Sequence, residues 1–313
     1  MPDEGYKPMD PISMTSHYET VICSHGWLDN ANSFSMIAPL IVEELQMRVI
    51  AIDLPGHGKS SHSHTGYYTV EDYDVTLIRF LHALDIRDFH MLLHSLSASL
   101  FPFISSLLPP NWNVRSLICL EQFAFMRSQT MLERVNLHTF LDYHNDRIQG
   151  KDVKIENSLD AANALESTKL YDSLEDIVKA RVYVTERKYP GKQTIAFESA
   201  KKILERNVSK IATIETENNQ RLIKTKYYLR HDPALKESAI NNLSTFAFPR
   251  NDGSAKKLQA KMNNLKLVYV EGSHHVHIDD APLCMRHITP FLKQVIETSK
   301  KQKVSDNSQL AKL

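Results

Sequence analysis

The chain has little of several features that would mark particular classes of protein. Its three cysteines, Cys23, Cys119 and Cys284, lie far apart among 313 residues and have no metal-ligand spacing. That usage does not suit a disulfide framework, so we interpret them as free thiols of a reducing compartment. Lysine plus arginine and aspartate plus glutamate are equal at 37 each. No excess of positive charge therefore favours binding to nucleic acid or to an anionic membrane.

The sequence also has no long apolar run, and we expect no leader segment. The longest apolar stretch, at 96–108, contains Pro102 and is too short to span a bilayer. The first residues, MPDEGY, are acidic and polar, which argues against a secretory signal or a transit peptide. We therefore expect a soluble protein without a membrane span.

Glycine is scarce as well, with nine residues where an average composition would give roughly 22. Glycine is nevertheless kept in the loops where a backbone has to turn tightly or approach another chain segment closely. Five of the nine stand in such loops: Gly26, Gly56, Gly58, Gly253 and Gly272.

What the chain does have is an alternation of strands and helices. Apolar, β-branched runs predict strands at 18–23, 48–53, 90–93, 115–121 and 265–270, with a weaker one at 243–248. Helical spacing predicts helices at 36–45, 69–84 and 283–296, the second with Thr69 as its N-cap. This order predicts an open, mostly parallel α/β sheet, whose ligands bind beyond the carboxyl ends of the strands.

The middle of the chain has a different character and predicts an inserted cap. Between 122 and 242 the pattern favours helices at 131–143, 174–186, 196–205 and 211–223. More than a hundred residues are too many for one crossover connection. We predict a core formed by 18–121 and 243–297, a helical cap at 122–242, and a flexible tail at 298–313.

One short segment predicts a reactive serine. An apolar run enters His94-Ser95-Leu96, and small and apolar residues follow. A strand that turns sharply into a helix in this way exposes a serine hydroxyl at the corner, the arrangement called a nucleophile elbow. The usual pattern is G-x-S-x-G, but Leu93 and Ser97 replace both glycines here.

Five motifs taken together resemble the α/β-hydrolase superfamily, and most closely its serine hydrolase-like branch, which is associated with peroxisomes in animals. The resemblance covers nearly the whole chain, from Val21 to Leu292, and implies the α/β-hydrolase fold. The motifs, in family order, are HGWLDNANSF at 25–34, IDLPGHGKSS at 52–61, HSL at 94–96, RHDP at 230–233 and EGSHHVH at 271–277.

The resemblance also implies roles for individual residues. Ser95 is the expected nucleophile and His274 its general base. Asp252 is the preferred triad acid, and Glu121 is the alternative. The backbone N–H groups of Trp27 and Leu96 would form the oxyanion hole.

Several further residues of these motifs have expected roles. Asp29 and Asn30 could face the pocket, whereas His25, Asp53 and His57 are expected to hold their loops in place. His275 and His277 are expected to pack near the site, since no ligand cluster accompanies them. We expect no metal and no cofactor.

The leading hypothesis is a serine hydrolase that cleaves a small ester, thioester or amide. The altered elbow motivates an alternative, because Leu93 would push the helix away from the strand and displace Ser95. The chain would then be a catalytically impaired relative that acts as a binding protein. A third reading keeps the fold but uses cofactor-free haloperoxidase or lyase chemistry.

The expected partners are few. The substrate is expected to be a small acyl compound, and no nucleic acid is expected to bind. The final tripeptide, Ala311-Lys312-Leu313, is similar to the S-K-L peroxisomal address. It predicts recognition by a peroxisomal import receptor and a peroxisomal location, with the cytoplasm as the alternative.

Overall fold

The computed structural model describes residues 18–63, 68–121, 169–188, 194–217, 220–232, 235 and 265–310. Within these ranges no helix has both the length and the apolar character that crossing a membrane requires.

A four-stranded parallel sheet forms the centre of the described structure. Its strands, β1 (Thr20–Ser24), β2 (Arg48–Ile52), β3 (Asp88–His94) and β4 (Asn113–Leu120), lie in the order β2-β1-β3-β4. They alternate along the chain with α1 (Ile37–Leu45), α2 (Val70–Ala83) and α3 (Leu96–Leu107). The predicted parallel α/β sheet is confirmed, and so is Thr69 as the N-cap of α2, where it forms a capping box with Asp72.

Helices cover both faces of this sheet. Side chains alternate along β1, so Val21 and Cys23 join one apolar cluster while Ile22 joins the other. The first cluster packs against α1 and a long C-terminal helix, and the second packs against α2 and α3. Because β1, β3 and β4 are parallel, their carboxyl ends lie at the same edge of the sheet, where the loops with the predicted site residues begin.

The described part of the segment predicted as a cap contains two helices and a β-hairpin. The helices α4 (Leu174–Lys188) and α5 (Phe197–Asn207) were predicted. The helix predicted at 211–223 is wrong, because an antiparallel pair, β5 (Val208–Glu217) and β6 (Gln220–Leu229), occupies that segment. Alternating β-branched residues there suit a ribbon, and Ile214 pairs with Ile223 across it.

Several predictions fall outside the described residues. They are the helix at 131–143, the weak strand at 243–248 and the turn that carries Asp252. Both cap boundaries, 122 and 242, also lie there and stay predictions.

The C-terminal part of the chain corrects two predictions. Residues 265–270 are not a strand, and Val268, Tyr269 and Val270 are exposed, because no described strand pairs with them. After the short helix α6 (Val276–Asp279), α7 runs over Ala281–Leu310, so the tail predicted to be flexible is helical as far as Leu310. The tripeptide 311–313 lies outside the described residues, and the peroxisomal address stays a prediction.

Candidate active site

Ser95 stands at a sharp corner between β3 and α3. Its φ of 49° is a left-handed conformation that residues other than glycine rarely adopt. Its amide donates to the carbonyl of Leu120 at the end of β4 (3.1 Å), which fastens the corner to the neighbouring strand. His94 and Leu96 on either side are buried, whereas Ser95 is half-buried. This is the backbone geometry of a nucleophile elbow.

Leu93 does not push the helix away as expected. The helix α3 begins at Leu96, directly after Ser95. Leu93 is fully buried, and its register neighbours in β1 and β4 are Ser24 and Cys119. Both neighbours are small, so the sheet has room for a leucine where the usual pattern has glycine.

Ser97, at the second glycine position, fastens the elbow to the next loop. Its hydroxyl donates to the main-chain oxygen of His25 (2.6 Å), and the side chain is buried. The same loop touches the elbow at Gly26, where a Cβ atom would lie 2.9 Å from His94 Nδ1 and 3.1 Å from Ser95 Cβ. A side chain at position 26 would therefore move either the loop or the elbow.

His274 lies next to Glu121, the alternative acid, at the same edge. Glu121 Oε2 is 3.2 Å from His274 Nδ1. Glu121 directly follows Leu120, whose carbonyl accepts the hydrogen bond from Ser95, so the register of β3 and β4 sets Glu121 opposite the elbow. Asp252 lies outside the described residues.

Burial keeps the His274 ring neutral at physiological pH. It lowers the pKa of His274 to about 4, against the opposing effect of the hydrogen bond to Glu121. A carboxylate oxygen only accepts hydrogen bonds, so the neutral ring carries its hydrogen on Nδ1 and a lone pair on Nε2. A neutral imidazole in this tautomer is able to accept a proton.

The two predicted oxyanion residues flank the elbow. Leu96 follows Ser95 directly and is the first residue of α3. Trp27 follows Gly26, the glycine that contacts the elbow, and its half-buried ring packs edge-on against His57 at 5.7 Å.

Asp29 and Asn30, which could face the pocket according to the sequence, have side chains that are buried and bonded within the protein. Asn30 donates to the carbonyl of Ile203 in α5 (2.7 Å) and accepts from the amide of Asn32 (2.9 Å). Asp29 pairs with Arg181 of α4. The two residues anchor the loop after β1, Asp29 to α4 and Asn30 to α5.

The remaining loop residues have the structural roles expected of them. Asp53 accepts from the amides of Ala31 (2.7 Å) and Lys59 (2.8 Å), and so joins two loops. His25 Nε2 accepts from the amide of Leu54 (3.0 Å), while its Nδ1 bonds the Gly26 carbonyl (2.8 Å). These two bonds fix a neutral tautomer of His25, in keeping with a pKa that burial lowers.

His275 and His277 also pack near the site as expected. His275 Nε2 lies 3.1 Å from Asp29 Oδ2, and His277 Nε2 lies 2.7 Å from the hydroxyl of Ser33. In the part of the chain that the structure describes, no group of three or more His, Cys, Asp or Glu side chains is arranged to hold a metal ion.

Sequence reasoning missed two residues, His94 and Arg181. His94 Nε2 donates to the main-chain oxygen of His274 (3.0 Å), and Arg181 reaches both the carboxylate of Asp29 and the carbonyl of Leu28. A histidine inside an apolar strand was the one available signal for His94. No local pattern marks Arg181, because its partners are more than 150 residues away.

The buried histidines make stability depend on pH. Burial lowers the pKa of five of them, so the unfolded chain binds more protons than the folded chain below about pH 6.5. Each such group contributes up to about 1.4 kcal/mol of lost stability per pH unit between its unfolded and folded pKa. The five are His25, His57, His90, His274 and His277.

We therefore expect the free energy of unfolding, measured with urea, to fall by several kcal/mol between pH 7 and pH 5. The lowered pKa of Asp29 does not contribute in this window, since that carboxyl loses its stabilising charge only at lower pH. A constant free energy of unfolding over this range would contradict the expectation.

Comparison with known proteins finds a matching family model and several similar proteins. The protein-family model described as the alpha/beta hydrolase fold matches residues 19–142 of this chain. A serine hydrolase-like protein of Danio rerio is 28% identical over 89% of this chain and 82% of its own length. A serine hydrolase-like protein of Dictyostelium discoideum is 24% identical over 88% of this chain and 75% of its own.

A solved structure agrees on the fold. The thioesterase domain from the curacin biosynthetic pathway superposes with a TM-score of 0.56 at 19% identity, over 85% of this chain and 88% of the domain. The parallel sheet covered by helices is the fold that the sequence motifs imply, and this solved structure has the same fold. The chain has the α/β-hydrolase fold, and the curated relatives that it resembles over most of its length are serine hydrolase-like proteins.

Proposed function

We propose that the protein is a serine hydrolase that cleaves a small ester, thioester or amide, with Ser95 as nucleophile, His274 as general base and Glu121 as the acid. One observation carries the proposal. Ser95 stands in a left-handed corner at the sheet edge where the buried His274 ring turns its Nδ1 to Glu121.

In the first half-reaction Ser95 Oγ attacks the carbonyl carbon of the substrate. His274 Nε2 takes the hydroxyl proton, and Glu121 stabilises the imidazolium that forms. The imidazolium then gives the proton to the leaving alcohol, thiol or amine, and the acyl group stays on Ser95. In the second half-reaction water attacks the acyl carbon, His274 accepts its proton, and Ser95 leaves with that proton.

The negative oxygen of each tetrahedral intermediate needs hydrogen-bond donors that are already in place. The backbone N–H groups of Leu96 and Trp27 are the proposed donors. The tight contact of Gly26 with His94 and Ser95 keeps this loop against the elbow, which supports the proposal.

The chemistry of the site and the titles of similar proteins support the proposed substrate class. An uncharged acyl carbonyl with a small leaving group suits a serine, an imidazole and backbone donors without a metal. The thioesterase title of one structural neighbour makes acyl thioesters worth testing beside oxygen esters.

The experiment measures hydrolysis of 4-nitrophenyl acetate, butyrate and octanoate and of acetyl and octanoyl thioesters. We expect at least one to be cleaved by the wild type, and this cleavage to be lost in Ser95→Ala. Ser35→Ala, at an exposed serine, is the matched control and is expected to keep the activity. A wild-type rate equal to that of Ser95→Ala with every substrate would contradict the proposal.

A further inference from the structure

Asp29 is a buried carboxylate that joins four parts of the molecule. It lies in the loop after β1 and is 1% exposed. Its Oδ1 accepts from Arg181 of α4, and its Oδ2 lies 3.1 Å from His275 Nε2 and 3.5 Å from His94 Nδ1. A buried carboxylate is stable only with such partners, so these contacts hold one another in place.

Two of these contacts lead directly to the nucleophile and the base. His94 immediately precedes Ser95, and its Nε2 donates to the main-chain oxygen of His274 (3.0 Å). His275 immediately follows His274. Asp29 therefore holds a neighbour of each reacting residue, and His94 links the two chain segments directly.

The third contact comes from the cap. Arg181 Nη2 bonds Asp29, and its Nη1 donates to the carbonyl of Leu28 (3.0 Å), a residue with φ of 58°. The guanidinium of Arg181 thus contacts both the charged side chain of Asp29 and the backbone of Leu28, in the loop that carries Trp27. A lysine could not make both contacts in the same geometry.

We propose that Arg181 is a positioning residue, which acts through Asp29 to couple docking of the cap to alignment of Ser95 with His274. The inference rests on the proposed function and extends it to the role of the cap. Without Arg181, Asp29 is a buried carboxylate that has lost its guanidinium partner. The loop of Asp29 then shifts, and the contacts of this carboxylate with His94 and His275 change. A shift of about 1 Å between nucleophile and base lowers the rate on the order of a hundredfold.

The first test is Arg181→Met, with kcat and KM measured on the best ester. We expect kcat to fall by about 10- to 100-fold with little change in KM, because alignment rather than binding is lost. Lys179→Met removes a positive charge from an exposed position of the same helix and is expected to behave as the wild type. An unchanged kcat in Arg181→Met would overturn the inference.

The second test separates positioning through Asp29 from simple packing of the cap. If Arg181 acts through Asp29, the single variant Asp29→Asn and the double variant Asp29→Asn/Arg181→Met have similar kcat values. Once Asp29 is changed, the loss of Arg181 lowers kcat little further. A double variant whose loss is the product of the two single losses would overturn the inference. If Arg181→Met does not fold, Arg181→Lys takes its place, with a smaller loss of kcat expected and an unchanged kcat counting against the inference.

The same samples distinguish failure of this inference from failure of the proposed function. Each is treated with a fluorophosphonate, and the rate of labelling of Ser95 is followed. A wild type that is not labelled contradicts the proposed function itself. A labelled wild type with equally fast labelling of Arg181→Met contradicts only the role of Arg181.

Discussion

Replacing His274 with alanine is expected to lower kcat for ester hydrolysis by about 10⁴- to 10⁶-fold. Without the imidazole, Ser95 has no base to take its proton and stays a weak nucleophile. The rate that remains comes from substrate binding and the oxyanion donors. Steady-state kinetics on the ester that the wild type cleaves best measures this loss, and KM is expected to change little.

A matched histidine provides the control. His82 is an exposed residue in the last turn of α2, and His82→Ala is expected to keep the wild-type kcat. Circular dichroism of both variants checks that they are folded. If folded His274→Ala kept kcat within tenfold of the wild type, another group would have to be the base.

Replacing Glu121 with glutamine is expected to lower kcat by about 10³- to 10⁴-fold. The amide keeps the size of the side chain but has no charge to stabilise the imidazolium of His274. Its NH₂ group can also turn toward Nδ1, which favours the tautomer with hydrogen on Nε2, and that tautomer cannot take the proton of Ser95.

The comparison with Asp252→Asn decides between the two carboxylates. Because Glu121 already lies 3.2 Å from His274 Nδ1, Asp252→Asn is expected to keep most of the activity. A large loss in Asp252→Asn together with a small one in Glu121→Gln would assign the acid to Asp252 instead. Both variants are measured with the same ester and the same buffer.

The sheet was predictable because its signals are local. Short β-branched runs separated by amphipathic helices of the right length leave few arrangements other than a parallel sheet. The capping box of Thr69 and Asp72 is likewise contained in four consecutive residues. Such features need no knowledge of distant partners.

The hairpin and the segment 265–270 show the limit of local patterns. The apolar residues from Ile211 to Ile223 fit a helical period, but their β-branched alternation also suits the ribbon that forms. Residues 265–270 look like a buried strand, but a strand exists only where a neighbour pairs with it. Pairing is a tertiary property, and no described strand supplies it there.

The candidate site could be predicted in part, because its motifs are also local. Through their resemblance to the α/β-hydrolase superfamily, the loop motifs single out Ser95, His274 and the pair of acid candidates. They do not rank Glu121 above Asp252, because that depends on how the end of β4 meets the loop of His274. Nor do they reveal that Asp29 turns inward, since its partner Arg181 lies 152 residues away.

Activation of Ser95 as a nucleophile, the claim on which the proposed function rests, predicts covalent reaction of this residue with a fluorophosphonate. The purified wild type, Ser95→Ala and His274→Ala are incubated with a fluorophosphonate, and the modified peptide is identified by mass spectrometry. We expect one label on Ser95 in the wild type, none in Ser95→Ala and greatly slowed labelling in His274→Ala. A folded wild type that takes up no label, or takes it up at another residue, would contradict the claim.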